Sequence, residues 1–147
     1  MSAFQSLNIS ASGLTAQRFR TDVIAENVAN VNTTRTQNGT PYRRQVVTFA
    51  EKDVTDFSNV LRHTRQSAVG NGVKVYSLTH DYENDFVMSY DPSHPDADEN
   101  GYVTYPNVNI VTEMTNLIDA SRSYEANATA FDASKGMLTT GLTLGKN

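Results

Sequence analysis

The sequence predicts an α+β fold: long N- and C-terminal helices packing as a coiled-coil-like pair, with a small antiparallel β domain inserted between them. Three observations predict it. Apolar residues recur at alternating spacings of four and three at both ends of the chain. Short β-branched and aromatic runs fill the middle, and Pro106 with its neighbouring asparagines marks the start of the last segment. The expected divisions are 1–34, 35–105 and 106–147.

The first helix is expected from Phe4 to Asn30. Its stripe is Leu7, Ala11, Leu14, Arg18, Thr21, Ala25 and Val28, of which five of seven are apolar. Arg18 and Thr21 interrupt the stripe. The helix should stop between Asn30 and Thr34, where Asn and Thr side chains compete for backbone hydrogen bonds.

The middle segment offers four strands: Val46–Phe49, Val73–Leu78 after the Gly70-Asn71-Gly72 turn, Phe86–Tyr90, and Tyr102–Tyr105. The stretch Asp53 to Gly72 reads as a polar loop.

The last helix carries the strongest periodicity. Ile110, Met114, Leu117, Ser121, Tyr124, Ala128, Phe131, Lys135, Leu138 and Leu142 form a stripe in which eight of ten are apolar. Asn107 or Asn109 is positioned to cap it. A helix from Asn109 to Leu142 is roughly 50 Å long at 1.5 Å per residue. A chain of 147 residues cannot bury it along its whole length, so the helix needs a partner. Either the two chain ends meet as a rod, or the helices fold back on their own sheet in a monomer.

Charge excludes some functions. Net charge is -4, which gives a nucleic-acid partner no electrostatic support. Residues 1–50 contain Arg18, Arg20, Arg35, Arg43 and Arg44 against Asp22 and Glu26. From Asp81 to Glu99 there are seven acids and no Lys or Arg. These regions either attract each other, within or between chains, or form separate solvated faces. With Cys 0, disulfides and thiolate chemistry are excluded. The N-terminus lacks a secretory signal pattern, and no run approaches the roughly 18 apolar residues of a membrane span. On these grounds alone the expected location is the cytoplasm, with no direct membrane insertion.

No catalytic constellation emerges, and no cofactor is expected. Asp96-Ala97-Asp98-Glu99-Asn100-Gly101 matches the opening of a calcium loop, with oxygen ligands at alternate positions and then glycine. Position twelve, which should be Glu, is Asn107, so a polar turn is the expected role. His63, His80 and His94 are scattered without zinc-type spacing. Serines lack a nucleophile-elbow context, and Gly70 and Gly72 lack a following Gly-Lys-Ser/Thr. The run from Asn27 to Thr34 is unusual. Asn27, Asn30 and Asn32 supply amides that both donate and accept, suiting either a plain helix end or a turn with several neighbours.

The run Ser12-Gly13-Leu14-Thr15-Ala16-Gln17, with Asp22 through Thr33, resembles the N-terminal signature of bacterial flagellar rod and hook proteins. Pro41-Tyr42-Arg43-Arg44-Gln45, then Asp91 to Asp98 with Gly101-Tyr102-Val103, then Tyr105 to Asn109 narrow the resemblance to the proximal-rod protein C family of the basal body, and Glu113-Met114 with Ala120 to Asn127 fits as well. Only Glu51 to Gln66 is unfamiliar. The resemblance implies a non-enzymatic subunit of the proximal rod, assembling helically as part of a torque-transmitting shaft around the export channel. It implies export through the flagellar type III apparatus without a cleaved signal peptide, and a location in the rod across the periplasm, replacing the cytoplasmic expectation. Partners are then other rod subunits and copies of the chain. The terminal helices would form the inner tube, and the expected interface residues are Leu7, Leu14, Val28, Met114, Leu117, Tyr124, Phe131 and Leu138. Ser121 and Lys135 become candidate polar register points on the stripe. The alternative is a soluble coiled-coil adaptor or export accessory protein.

Overall fold

A computed structural model describes residues 3–52 and 70–145. The element order is α1 (Ala3–Ala29), β1 (Gln45–Glu51), β2 (Val73–His80), β3 (Val87–Tyr90), β4 (Tyr102–Tyr105) and α2 (Ile110–Leu144). The fold class is the predicted α+β, with two long helices and antiparallel β structure between them. Four strands form where β-branched and aromatic runs occur, but as two separate two-stranded sheets, β1–β2 and β3–β4. The polar loop expected over 53–69 falls outside the described residues.

The helix boundaries follow local chemistry. Asn109 caps α2: its Oδ1 accepts from the Val111 and Thr112 backbone N–H groups at 3.0 and 3.2 Å. Asn107, the other candidate cap, is instead buried. At the end of α1, the Asn30 backbone and side-chain N–H groups both donate to the Glu26 carbonyl, at 3.1 and 3.0 Å. Asn30 Oδ1 accepts from the Thr33 hydroxyl at 3.1 Å, which closes the turn.

The chain divides into two compact units. One comprises residues 1–19, 48–76 and 120–147; the other comprises 20–47 and 77–119. In the first unit, Ala16 and Ala120 are buried, as is Gly13. A Cβ built on Gly13 would lie 2.6 Å from Asn127 Oδ1, so glycine permits α1 to approach α2 closely here. Ser12 Oγ donates to the Ile9 carbonyl at 2.7 Å and accepts from the Val73 N–H at 3.0 Å, tying the start of β2 to α1. Gly72, with φ of 101°, turns the chain into β2 beside Ser12. In the second unit, Val23, Ile24, Val103 and Val108 form the buried apolar set. Val87 pairs with Tyr105, Met88 with Thr104, Ser89 with Val103 and Tyr90 with Tyr102.

Candidate functional site

The second unit is organised around polar side chains that are more deeply buried than most of its apolar ones. Asn27 and Glu113 are each 1% exposed. Burying such groups is costly unless every hydrogen bond is made, so their partners matter. Asn27 Nδ2 donates to the Gln45 carbonyl at 2.9 Å and to Glu113 Oε2 at 3.1 Å. Its Oδ1 accepts from the Tyr42 hydroxyl and the Gln45 N–H, both at 2.9 Å. All four capacities of the amide are filled.

Glu113 Oε1 accepts from Arg44 Nε at 2.9 Å and pairs with Arg44 Nη2 at 2.8 Å. Arg44 Nη1 lies 3.4 Å from Asp81 Oδ2, so a single guanidinium bridges two carboxylates. Asp81 also accepts from the Asn84 side chain at 2.8 Å and from the backbone N–H groups of Glu83 and Asn84 at 3.1 Å. The Asn84 bonds, together with those from Glu83 and Arg44, outweigh burial and hold the Asp81 carboxyl below its ordinary range. Asn107 Nδ2 donates to the carbonyls of Asp81 and Asn84, each at 3.0 Å, and its Oδ1 accepts from the Arg44 N–H at 2.9 Å. Arg43 donates to the Asp81 carbonyl at 2.8 Å and stacks over Tyr82 and Phe86. Burial, reinforced by the nearby Glu26 charge, pushes the Tyr42 hydroxyl up to about 12. Tyr42 therefore stays a neutral donor.

This node joins the end of α1, the entry to β1, the exit of β2 and the first turn of α2. Its side chains bond chiefly to one another and to nearby backbone, and its chemistry is that of a fastening. Part of the basic front and acidic middle meet here, and again where Arg35 pairs with Asp96 at 3.7 Å. The calcium-like loop spends its oxygens elsewhere. Asp96 Oδ2 accepts from the Thr34 hydroxyl, and Asp98 Oδ1 accepts from the N–H groups of Asn100 and Tyr102. Gly101 has φ of 81°, as the turn into β4 requires. With Asn107 in the node, Asp96, Asp98 and Asn107 face different partners. Among the described residues, no group of three His, Asp or Glu side chains could hold a metal ion.

Of the three singled-out asparagines, Asn27 sits in the node, Asn30 closes the helix end, and Asn32 is exposed. Leu7, Leu14, Val28, Leu117, Phe131 and Leu138 are half-buried, whereas Met114 and Tyr124 are exposed. The best-buried positions of α2 are Glu113, Ala120 and Ser134, each one residue before a position of the predicted stripe. Periodicity weighted by hydrophobicity passes over such small and polar residues. Sequence reasoning also missed Glu113, Arg44, Asp81 and Asn107 as a set. The one available signal was the mixed aromatic, cationic and amide run from Tyr42 to Gln45.

Glycine contacts and a buried amide fasten the two helices, and apolar side chains of both remain exposed. Two family models match the segments that hold these helices. A flagella basal body rod protein model covers residues 7–36, and the C-terminal model of flagellar basal body rod FlgEFG proteins covers 99–144. Over nearly the whole chain the similarity is narrower. Flagellar basal-body rod protein FlgC of Bacillus subtilis is 49% identical across 99% of this chain and 100% of its own. FlgC of Borreliella burgdorferi is 43% identical over 98% of each, and FlgC of Salmonella typhimurium 37% over 99% and 100%. The chain belongs to the flagellar basal-body rod protein FlgC family.

Proposed function

We propose that the chain is a non-enzymatic structural subunit of the flagellar basal-body rod. It assembles helically with copies of itself and with other rod subunits, and transmits torque around the export channel. The observation that carries this reading is the coincidence of rod-type matches with both terminal helices, which leave Phe4, Phe19, Val111, Met114, Ile118, Met137, Leu142 and Leu144 exposed. Apolar side chains in such number on two helices favour burial by neighbouring subunits. The segments 1–34 and 106–147 then act as the inner tube, and 35–105 as the outer layer. Interface contacts are assigned to Leu7, Leu14, Val28, Met114, Leu117, Tyr124, Phe131 and Leu138. Export proceeds through the type III apparatus without a cleaved signal peptide, and the rod crosses the periplasm. None of the described helices is long and apolar enough to cross a membrane.

Mass spectrometry of purified basal bodies tests the proposal. The chain should co-purify in fixed ratio to other rod subunits, and Phe131→Asp or Leu138→Asp should remove it and abolish motility while the middle segment stays folded. Its absence from basal bodies, with the chain recovered in the cytoplasmic fraction, would replace the rod with the adaptor reading.

A further inference from the structure

Asparagine is thermolabile, and a following glycine makes it more so, because no Cβ hinders the approach of the glycine nitrogen. That nitrogen, once its proton is lost, attacks the asparagine side-chain carbonyl carbon. A C–N bond forms, ammonia leaves, and water opens the five-membered imide to aspartate or isoaspartate. A glycine N–H that already donates to a carbonyl is held back from this reaction, since that bond must break first. Backbone hydrogen bonding therefore ranks such pairs within one chain.

The sequence holds three: Asn38-Gly39, Asn71-Gly72 and Asn100-Gly101. The Gly39 N–H donates to the Thr36 carbonyl at 2.9 Å, inside a turn that Thr36 closes on Thr40. Gly101 is buried, and its N–H donates to the Asp98 carbonyl at 3.0 Å. Its neighbours Asn100 and Tyr102 donate their N–H groups to Asp98 Oδ1 at 2.9 and 2.8 Å, so this turn is fixed on both sides. Gly72 differs. Its carbonyl accepts from the Lys52 N–H at 2.9 Å, but its own N–H meets no acceptor among the described residues. The Asn71 side chain is half-buried and hydrogen-bonds to none of them either.

The product would fall where space is short. A Cβ built on Gly72 would collide with Ser12 and lie 3.4 Å from the Ile9 Cα. Isoaspartate inserts a methylene into the main chain immediately before this glycine. The next residue, Val73, donates its N–H to Ser12 Oγ at 3.0 Å, the bond that ties the start of β2 to α1. We propose that Asn71-Gly72 is the pair at which the folded chain deamidates first, and that isoaspartate there releases the start of β2 from Ser12.

The full-length chain, incubated folded at mildly alkaline pH and again in urea, tests this by peptide mass spectrometry at all three pairs. In the folded chain Asn71 should convert several-fold faster than Asn38 and Asn100, and urea should close that gap by removing the hydrogen bonds at Gly39 and Gly101. Conversion at Asn38 or Asn100 as fast as at Asn71 overturns the proposal, as does no conversion at any of them. A gap that persists unchanged in urea overturns it too, since neighbouring residues and not hydrogen bonding would then set the rates. The purified isoaspartate chain is then compared with Asn71→Asp, which carries the same charge on an ordinary backbone. Amide exchange at Val73 should be several-fold faster in the isoaspartate chain; equal exchange in the two refutes the release from Ser12.

Discussion

The two compact units hold their helices by opposite means. The unit containing residues 20–47 and 77–119 uses a fully bonded polar node centred on Asn27, Glu113 and Arg44. The unit containing the chain ends uses close approach: Gly13 against Asn127 and Ser12 beside Gly72. The polar node is specific and intolerant, because each member loses its partner if one is removed. Close approach through small residues is more forgiving, since a neighbouring side chain can shift. The difference suggests where register is fixed and where give is allowed.

The comparison breaks first at the node. Glu113→Ala should cost about 3–5 kcal/mol, the usual loss when a buried charge pair loses one member, read by chemical denaturation. Asn27→Asp should cost somewhat less, about 2–4 kcal/mol, because a carboxylate replaces the donor facing Glu113 at 3.1 Å. Adding Glu113→Gln should recover part of that loss by restoring a donor. Gly13→Val should cost about 1–3 kcal/mol through overpacking, and amide exchange should rise mainly in residues 1–19 and 120–145.

The pH limbs sharpen the same contrast. The folded Asp81 carboxyl lies below its unfolded value of 3.8, so its contribution is present above that value and disappears as acid protonates it. Asp81→Asn should flatten the acid limb below about pH 4. On the alkaline side the Tyr42 hydroxyl ionises near 12 when folded and near 10 when unfolded, so stability falls between those values. Tyr42→Phe should remove that slope. The smallest effect is expected for Arg35→Ala, which breaks an exposed pair and should change stability by less than about 1 kcal/mol.

Much of this architecture could be read from residue order. Pro106 and the asparagines near it placed the start of α2, and the Asn–Thr cluster placed the end of α1. Helix existence follows from periodicity, which is local. The register of α2 was not readable in the same way. Large apolar residues drew attention to Met114, whereas the chain buries Glu113, whose partners lie far away in sequence. Likewise antiparallel β structure was expected between the helices, but not its division into two sheets, β1–β2 and β3–β4, the second joined by the Asp91–Gly101 loop that the Asp91 N–H closes on the Gly101 carbonyl at 2.9 Å. Pairing between distant segments leaves no periodic trace.

The span of the node has a consequence for how the chain reaches its final state. Asn27 and Glu113 lie 86 residues apart, and Arg44 and Asp81 lie 37 apart. Joining ends that distant costs about 4 kcal/mol in chain entropy before any bond is formed. Each helix can form early by itself, but neither can be locked to the other until nearly the whole chain is present. A chain threaded N-terminus first would therefore remain pliable until its final quarter emerged, then set abruptly.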